Sequence, residues 1–126
     1  MIPEGLYFTK EHEWVRIHDD TATIGITDHA VDELGEIVFV ELPKVGENQV
    51  RLSEFGTVES VKTVSSLYCP MTGQVSEVNE LVKSAPEKIN SDPYNDGWLI
   101  RIKITDPGEA ATLLSASDYQ EHLKTL

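Results

Sequence analysis

Cysteine is nearly absent from this chain of 126 residues, which holds only Cys69. A single thiol cannot build an internal disulfide framework, so the sequence points to a reducing compartment and a fold held by its core. Basic charge is scarce as well. Ten Lys and Arg stand against 22 Asp and Glu, a net charge of −12; that sign repels a phosphate backbone and speaks against nucleic acid as a partner. No apolar run approaches the ~20 residues of a membrane span, and no signal-peptide core follows Met1. A cytoplasmic, bacterial protein without membrane association is the expectation. The four histidines, His12, His18, His29 and His122, lack recognised ligand spacing, and no metal site is expected. Gly-rich phosphate loops, nucleophile elbows and paired-carboxylate motifs are missing too.

What the chain does have is enough apolar material, 40% of its residues, for one core. Its length suits a single domain over 1–126, expected to be monomeric. The pattern is mainly β. His12 to Ile17 and Thr21 to Ile26 alternate and form a plausible hairpin around Asp19-Asp20. Thr27 or Asp28 can cap a short helix that Gly35 stops. Ile37 to Leu42 is apolar on both alternations and reads as a strand buried on both faces. Val58 to Leu67 is strand-like with a charged middle, and Val75 to Val78 is a further strand with Asn79 as a cap after it. Ser84 to Gly97 reads as a long irregular connection. Trp98 to Ile104 is the clearest strand, with Trp98, Ile100, Ile102 and Ile104 facing inward. Asp106, Pro107 and Glu109 give a helix start, and Ser117 with Gln120 repeats the capping-box spacing for a last helix. Gly35 to Glu41 and Gly73 to Asn79 resemble each other weakly, as two halves of a quasi-symmetric sandwich would. Trp14 and Trp98 read as core residues, and Cys69 as a small half-buried residue on the strand after the hairpin rather than a redox thiol.

Lys62 is the candidate functional residue. If two strands meet in a turn near Ser60–Thr63, Lys62 lies at its tip with Val61 exposed beside it. An enzyme that modifies a lysine needs such a protruding amine, and the four-carbon stem is a good tether for a mobile acyl arm. Taken alone, the same lysine would pass as a solvated surface group.

Several segments carry a family resemblance: Thr9-Lys10-Glu11-His12-Glu13-Trp14, Ile24 to Asp28, Leu34 to Pro43, Glu59-Ser60-Val61-Lys62, Pro70 with Gly73, and Asn90 to Trp98 around Asp92-Pro93-Tyr94. In this order and over nearly the whole chain, the sequence resembles the H proteins of the glycine cleavage system. The resemblance implies an all-β, biotinyl/lipoyl-carrier-like hybrid-motif sandwich of two small antiparallel sheets with C-terminal helices. It implies lipoate in amide linkage on Lys62 and no catalysis by the carrier itself. The implied partners are a pyridoxal-phosphate glycine decarboxylase, a tetrahydrofolate-dependent aminomethyltransferase and a dihydrolipoamide dehydrogenase. The lipoyl group would come from a lipoate ligase, or from an octanoyltransferase with lipoyl synthase.

Glu13, Glu59, His12 and Ser65 are the candidates for docking the arm, with the two carboxylates as holders of a protonated amine. The plain alternative for each carboxylate is ordinary solvent exposure. Three positions depart from the family pattern: Thr63 stands where Ala is frequent, Ser66 where an acid is common, and Leu52 at a turn position often held by Gly. Two other functions fit parts of the sequence. One is a lipoyl reservoir that relays lipoate to other enzymes; the other is an unmodified β-domain acting as a small enzyme or binding module.

Overall fold

The computed structural model describes residues 5–126, so the reading placed on Met1 lies outside the described residues. The chain runs through β1 (Tyr7–Phe8), β2 (Glu13–His18), β3 (Thr21–Ile26), α1 (Asp28–Leu34), β4 (Ile37–Glu41), β5 (Asn48–Gln49), β6 (Glu54–Ser60) and β7 (Val64–Tyr68). It continues through β8 (Gly73–Val78), α2 (Glu80–Ser84), α3 (Glu87–Ser91), β9 (Ile100–Ile104), a 3-10 turn at Pro107–Thr112, and α4 (Ala116–Lys124). Two antiparallel sheets result. The larger has the order β1-β2-β3-β9-β8-β5, and the smaller is β4-β6-β7.

Alternation explains how the sheets meet. Ala22, Ile24 and Ile26 of β3, with Ile100 and Ile102 of β9, point one way and join Ile37, Val40, Val58 and Leu67 of the small sheet in one core. Trp14, on the opposite face of β2 from Val15, enters a second cluster with Leu6, Phe8 and Tyr119. There α4 covers the outer face of the large sheet, and the Tyr119 ring stacks on Phe8 at 4.7 Å. The Trp14 ring needs Gly25 as its cross-strand partner, because a Cβ there would lie 2.5 Å from the indole. Burial of these large side chains, each contributing roughly 1.5–3 kcal/mol, makes the two clusters the stable frame of the molecule.

The helix between β3 and β4 forms as its caps dictate. The Thr27 hydroxyl accepts from the Ala30 N–H, and Gly35 ends the helix at φ +84, a conformation that L side chains avoid. Elsewhere the structure departs from the pattern. β4 is buried on one face only. A bulge makes Val38 the extra residue between the pairs Ile37↔Ser60 and Phe39↔Glu59, so Val38 and Phe39 both turn outward while Ile37 and Val40 stay inside. A bulge at an edge is invisible to a period-2 reading.

The connection 84–97 is not irregular either. Pro86 precedes the single turn of α3, which seats Ile89 in the core; proline is well tolerated at a helix start. β9 begins at Ile100, two residues after Trp98. The expected cap at Asp106 does not form: the Glu109 N–H donates to the Asp106 carbonyl at 3.2 Å, and the Glu109 carboxylate is taken up by Thr72, accepting from its N–H at 2.6 Å and its hydroxyl at 2.8 Å. The last helix is capped by Ser115 rather than Ser117.

Candidate functional site

β6 and β7 pair with Glu59 opposite Val64, which leaves Ser60–Thr63 as the connecting turn. Ser60 builds it. Its N–H donates to the Thr63 carbonyl at 2.8 Å, and its hydroxyl accepts from the N–H groups of Lys62 and Thr63 at 3.3 and 3.1 Å. Because Ser60 is itself buried, the turn is anchored from inside while Val61, Lys62 and Thr63 remain exposed. The Val61 N–H donates to the Glu36 carbonyl and fixes the tip against the α1–β4 connection. That connection is clamped in turn by Asn90, whose amide donates to the Gly35 carbonyl and accepts from the Ile37 N–H, both at 2.9 Å. The Lys62 stem lies over Gly35: a Cβ at that position would sit 3.6 Å from Lys62 Cε.

From the tip, a shallow depression lined by His29, Asp32, Glu33 and Lys62 opens toward α1. Beside it is a groove of about 350 Å³ lined by Glu11, His12, His29, Ala30, Glu33, Leu34, Ser65 and Leu126. His12 and Ser65 therefore share one groove, as candidates for one arm would. Three histidines from separate elements also meet here. The His12 ring is 4.5 Å from that of His29 and 6.0 Å from that of His122. Burial, and then the neighbouring histidines, push the His12 pKa below its ordinary value, and its Nδ1 pairs with the Tyr119 hydroxyl at 2.8 Å. Among the described residues no three His, Cys, Asp or Glu side chains form a set that could hold a metal.

Glu13 lies further along. It is only 2% exposed, contrary to the plain alternative of a solvated carboxylate. The Thr9 hydroxyl donates to its Oε1 at 2.5 Å and the Tyr68 N–H to its Oε2 at 3.3 Å. Burial pushes its carboxyl up to about 7, against those two hydrogen bonds. It borders a cavity of about 340 Å³ that Arg51, Leu52, Tyr68 and Thr112 also line. At about 3.3 Å per residue, Tyr68 is roughly 13 Å along β7 from Val64, and Glu13 sits at that far end. Glu59 is elsewhere. It stands opposite Phe39 and Val64 on the outer face of the small sheet, away from the groove.

Sequence reasoning gave Thr9, His29, Glu33, Tyr68 and Asn90 no part in the arm's site, although His29 was weighed as a metal ligand and Thr9 and Asn90 lie in the family-like segments. Only His29 and Glu33 had a readable signal, their i,i+4 spacing on α1, and they pair at 3.4 Å. Cys69 is fully buried rather than half-buried. Its thiol donates to the Met71 carbonyl at 3.1 Å, and burial pushes its pKa up to about 11, so it keeps its proton at neutral pH. Leu52, at the turn position often held by Gly, has φ +73.

Two facing antiparallel sheets with a lysine on an anchored hairpin tip are the architecture of the biotinyl- and lipoyl-carrier sandwiches. The family model for the glycine cleavage H-protein matches residues 6–126. The chain is 51% identical over 123 residues to the glycine cleavage system H protein of Rubrobacter xylanophilus, covering 98% of this chain and 95% of that one. It is 49% identical to the counterpart from Staphylococcus carnosus, covering 95% of both. A crystal structure of a glycine cleavage system H protein from Mycobacterium marinum superposes with a TM-score of 0.91 at 42% identity, covering 98% of this chain and 99% of that one. The chain belongs to the glycine cleavage H-protein family. Members are non-catalytic carriers that bear lipoate in glycine breakdown, and this protein is a carrier rather than an enzyme.

Proposed function

We propose that Lys62 is the attachment point for lipoate, held as an amide on its Nζ, and that residues 1–126 work as one monomeric carrier unit. The observation that carries this reading is the anchored tip. Ser60 and Asn90 hold the turn and its base, yet the lysine side chain itself is exposed, so an enzyme can reach the amine without unfolding the domain. The residues present fit the group: the lysine stem lies over Gly35, and the depression beside it shares His29 and Glu33 with a groove that has both apolar and polar walls. When attached, the dithiolane supplies the disulfide that accepts an aminomethyl group and is later reoxidised from the dithiol.

The chain's own residues do the rest. Leu34 and Ala30 offer apolar walls to the arm, while His12 and Ser65 offer polar contacts, sheltering it from bulk water. Glu13, at the far end, holds a carboxylate or carboxylic acid in balance near neutral pH and can take the charge of an amine brought to it. Glu59 faces away from this path, on the outer face of the small sheet. Tethering raises the arm's local concentration at each docked enzyme, and the acidic surface steers it toward basic patches.

The partners in this reading are the glycine decarboxylase, the aminomethyltransferase and the dihydrolipoamide dehydrogenase, with a lipoate ligase, or an octanoyltransferase and lipoyl synthase, loading the chain. We assign the action to a bacterial cytoplasm; the support is that the relatives named above are bacterial and that no described helix is long and apolar enough to cross a membrane. The test is exchange of labelled carbon dioxide into glycine by the decarboxylase. The loaded chain is expected to support exchange and Lys62→Arg to abolish it. Exchange at the full rate with Lys62→Arg would refute the assignment.

A further inference from the structure

We infer that the outer face of the small sheet, beside Lys62, is the surface by which the lipoate-attaching enzyme recognises this carrier; the inference rests on Lys62 being the attachment point. The bulge in β4 turns Val38 and Phe39 outward together, 44% and 52% exposed. Phe39, Glu59 and Val64 lie in one row across β4, β6 and β7, and neighbours in such a row have Cβ atoms about 5 Å apart. Val64 is 62% exposed, and Val61, tied by its N–H to the Glu36 carbonyl, is 67% exposed. Four large apolar side chains are thus exposed on this face and at the adjoining tip, with Glu59 between Phe39 and Val64 in the row. A cluster of this kind on a soluble protein marks a contact surface, and bulges are concentrated at sheet edges and near sites.

The choice of occupant follows from reach and charge. An enzyme that uses the finished arm meets its far end and can dock at a distance from the tip. An enzyme that makes the amide must bring an activated acyl ester to Nζ itself, so it covers the surface at the base of the lysine. In that step the neutral amine attacks the carbonyl carbon of an acyl adenylate or thioester. The C–N bond forms, the C–O or C–S bond breaks, the phosphate or thiolate leaves, and the amine's proton passes to a base on the enzyme. Nothing is oxidised or reduced. Glu36, Glu41 and Glu59 border the apolar cluster and are exposed. The complementary surface is therefore an apolar ledge with a basic rim.

The experiment measures acylation of the intact chain by a purified lipoate ligase with ATP and lipoate, following the mass of the product. Val38→Ser combined with Phe39→Ser is expected to raise KM about thirtyfold, the scale of one interface hot spot, with kcat little changed. Phe39→Leu keeps the apolar contact and is expected to stay near the unsubstituted value. Val50→Ser, at an exposed apolar residue outside the patch, is the control. A thermal melt checks that the double variant is folded, and Val61→Ser alone provides a second probe at the tip itself. As a readout without chemistry, unacylated Lys62→Arg should compete with the unsubstituted chain for the ligase, and lose that ability when it also carries the two serines. Normal acylation of both Val61→Ser and the folded double variant would overturn the surface while leaving Lys62 in place. So would a dimer of this chain that the two serines abolish, or a defect confined to turnover of already loaded chain. No added mass on the unsubstituted chain would remove the attachment point and this surface with it.

Discussion

Glu13 is the residue whose surroundings most change its chemistry. Its carboxyl is raised from 4.5 to about 7 by burial, so the folded protein holds a proton there that the unfolded chain has released. Folding stability is therefore highest below pH 4.5 as far as this group is concerned, and falls as pH rises through 7. The shift corresponds to about 3 kcal/mol at most. Glu13→Gln cannot ionise; its single oxygen can still accept from the Tyr68 N–H, while its NH2 donates to the Thr9 hydroxyl in place of the bond that Glu13 accepted there. It is expected to flatten that part of the pH–stability curve and to be the more stable form at pH 8, as measured by urea unfolding. An unchanged slope between pH 5 and 8 would show that the carboxyl is not titrating there. Leu52 carries strain of another kind. Its φ of +73 costs roughly 1–2 kcal/mol for an L side chain, against roughly 0.5–1 kcal/mol of extra chain entropy for glycine. Since Leu52 is largely exposed, Leu52→Gly is expected to raise stability by about 0.5–1 kcal/mol, read from the denaturant midpoint. A loss of stability would mean that its side chain on the cavity wall is worth more than the backbone relief. The position was legible as a glycine-like turn, but nothing local showed that leucine would be held there in a left-handed conformation.

Among the elements, those with local causes were legible. The Asp19–Asp20 hairpin, the Thr27 and Asn79 caps and the Gly35 stop all depend on residues within a turn of each other. What failed depended on partners far along the chain. The exposed face of β4 results from its bulge against β6, and Glu109 left its expected cap for Thr72. Asp92-Pro93-Tyr94 read structurally as loop, within a family-like segment, yet it staples two elements. The Trp14 indole N–H donates to the Pro93 carbonyl at 2.9 Å, Arg16 donates to the Tyr94 carbonyl at 3.0 Å, and the Tyr94 hydroxyl donates to Asp28 at 2.8 Å. Asn90 is the sharpest test at this scale. Asn90→Ala leaves the Gly35 carbonyl and the N–H of buried Ile37 without their partner, at a cost of about 1–3 kcal/mol. The denaturant midpoint is expected to fall accordingly, and amide exchange at Val61 and Lys62 to quicken, because the tip hangs from that connection. A stability loss with unchanged exchange at the tip would separate the clamp from the display of Lys62.

At the scale of the molecule, the fold places Lys62 at the end of a two-sheet body and a groove along its side. The order of the two sheets could not be derived from local pattern, since the pairs Ile24↔Ile100 and Val75↔Ile102 join segments whose alternation fits several neighbours equally well. Family-like segments spread along the chain supplied the architecture that periodicity lacked. They also singled out Lys62, which local chemistry alone left indistinguishable from a surface lysine. Glu13 and His12 were named as candidates for docking the arm, but not the burial of Glu13 or the pairing of His12 with Tyr119; the distance between them and the tip is set by the length of β7 and by helices that arrive from the other end of the sequence. The most direct measurement is the intact mass of the protein purified from lipoate-replete cells, with the modified peptide sequenced, for the unsubstituted chain and for Lys62→Arg. One lipoyl amide on the peptide containing Lys62, lost without loss of folding in Lys62→Arg, is the expected result. A bare Lys62 in the unsubstituted protein, or an equal added mass in the variant, would contradict the assignment.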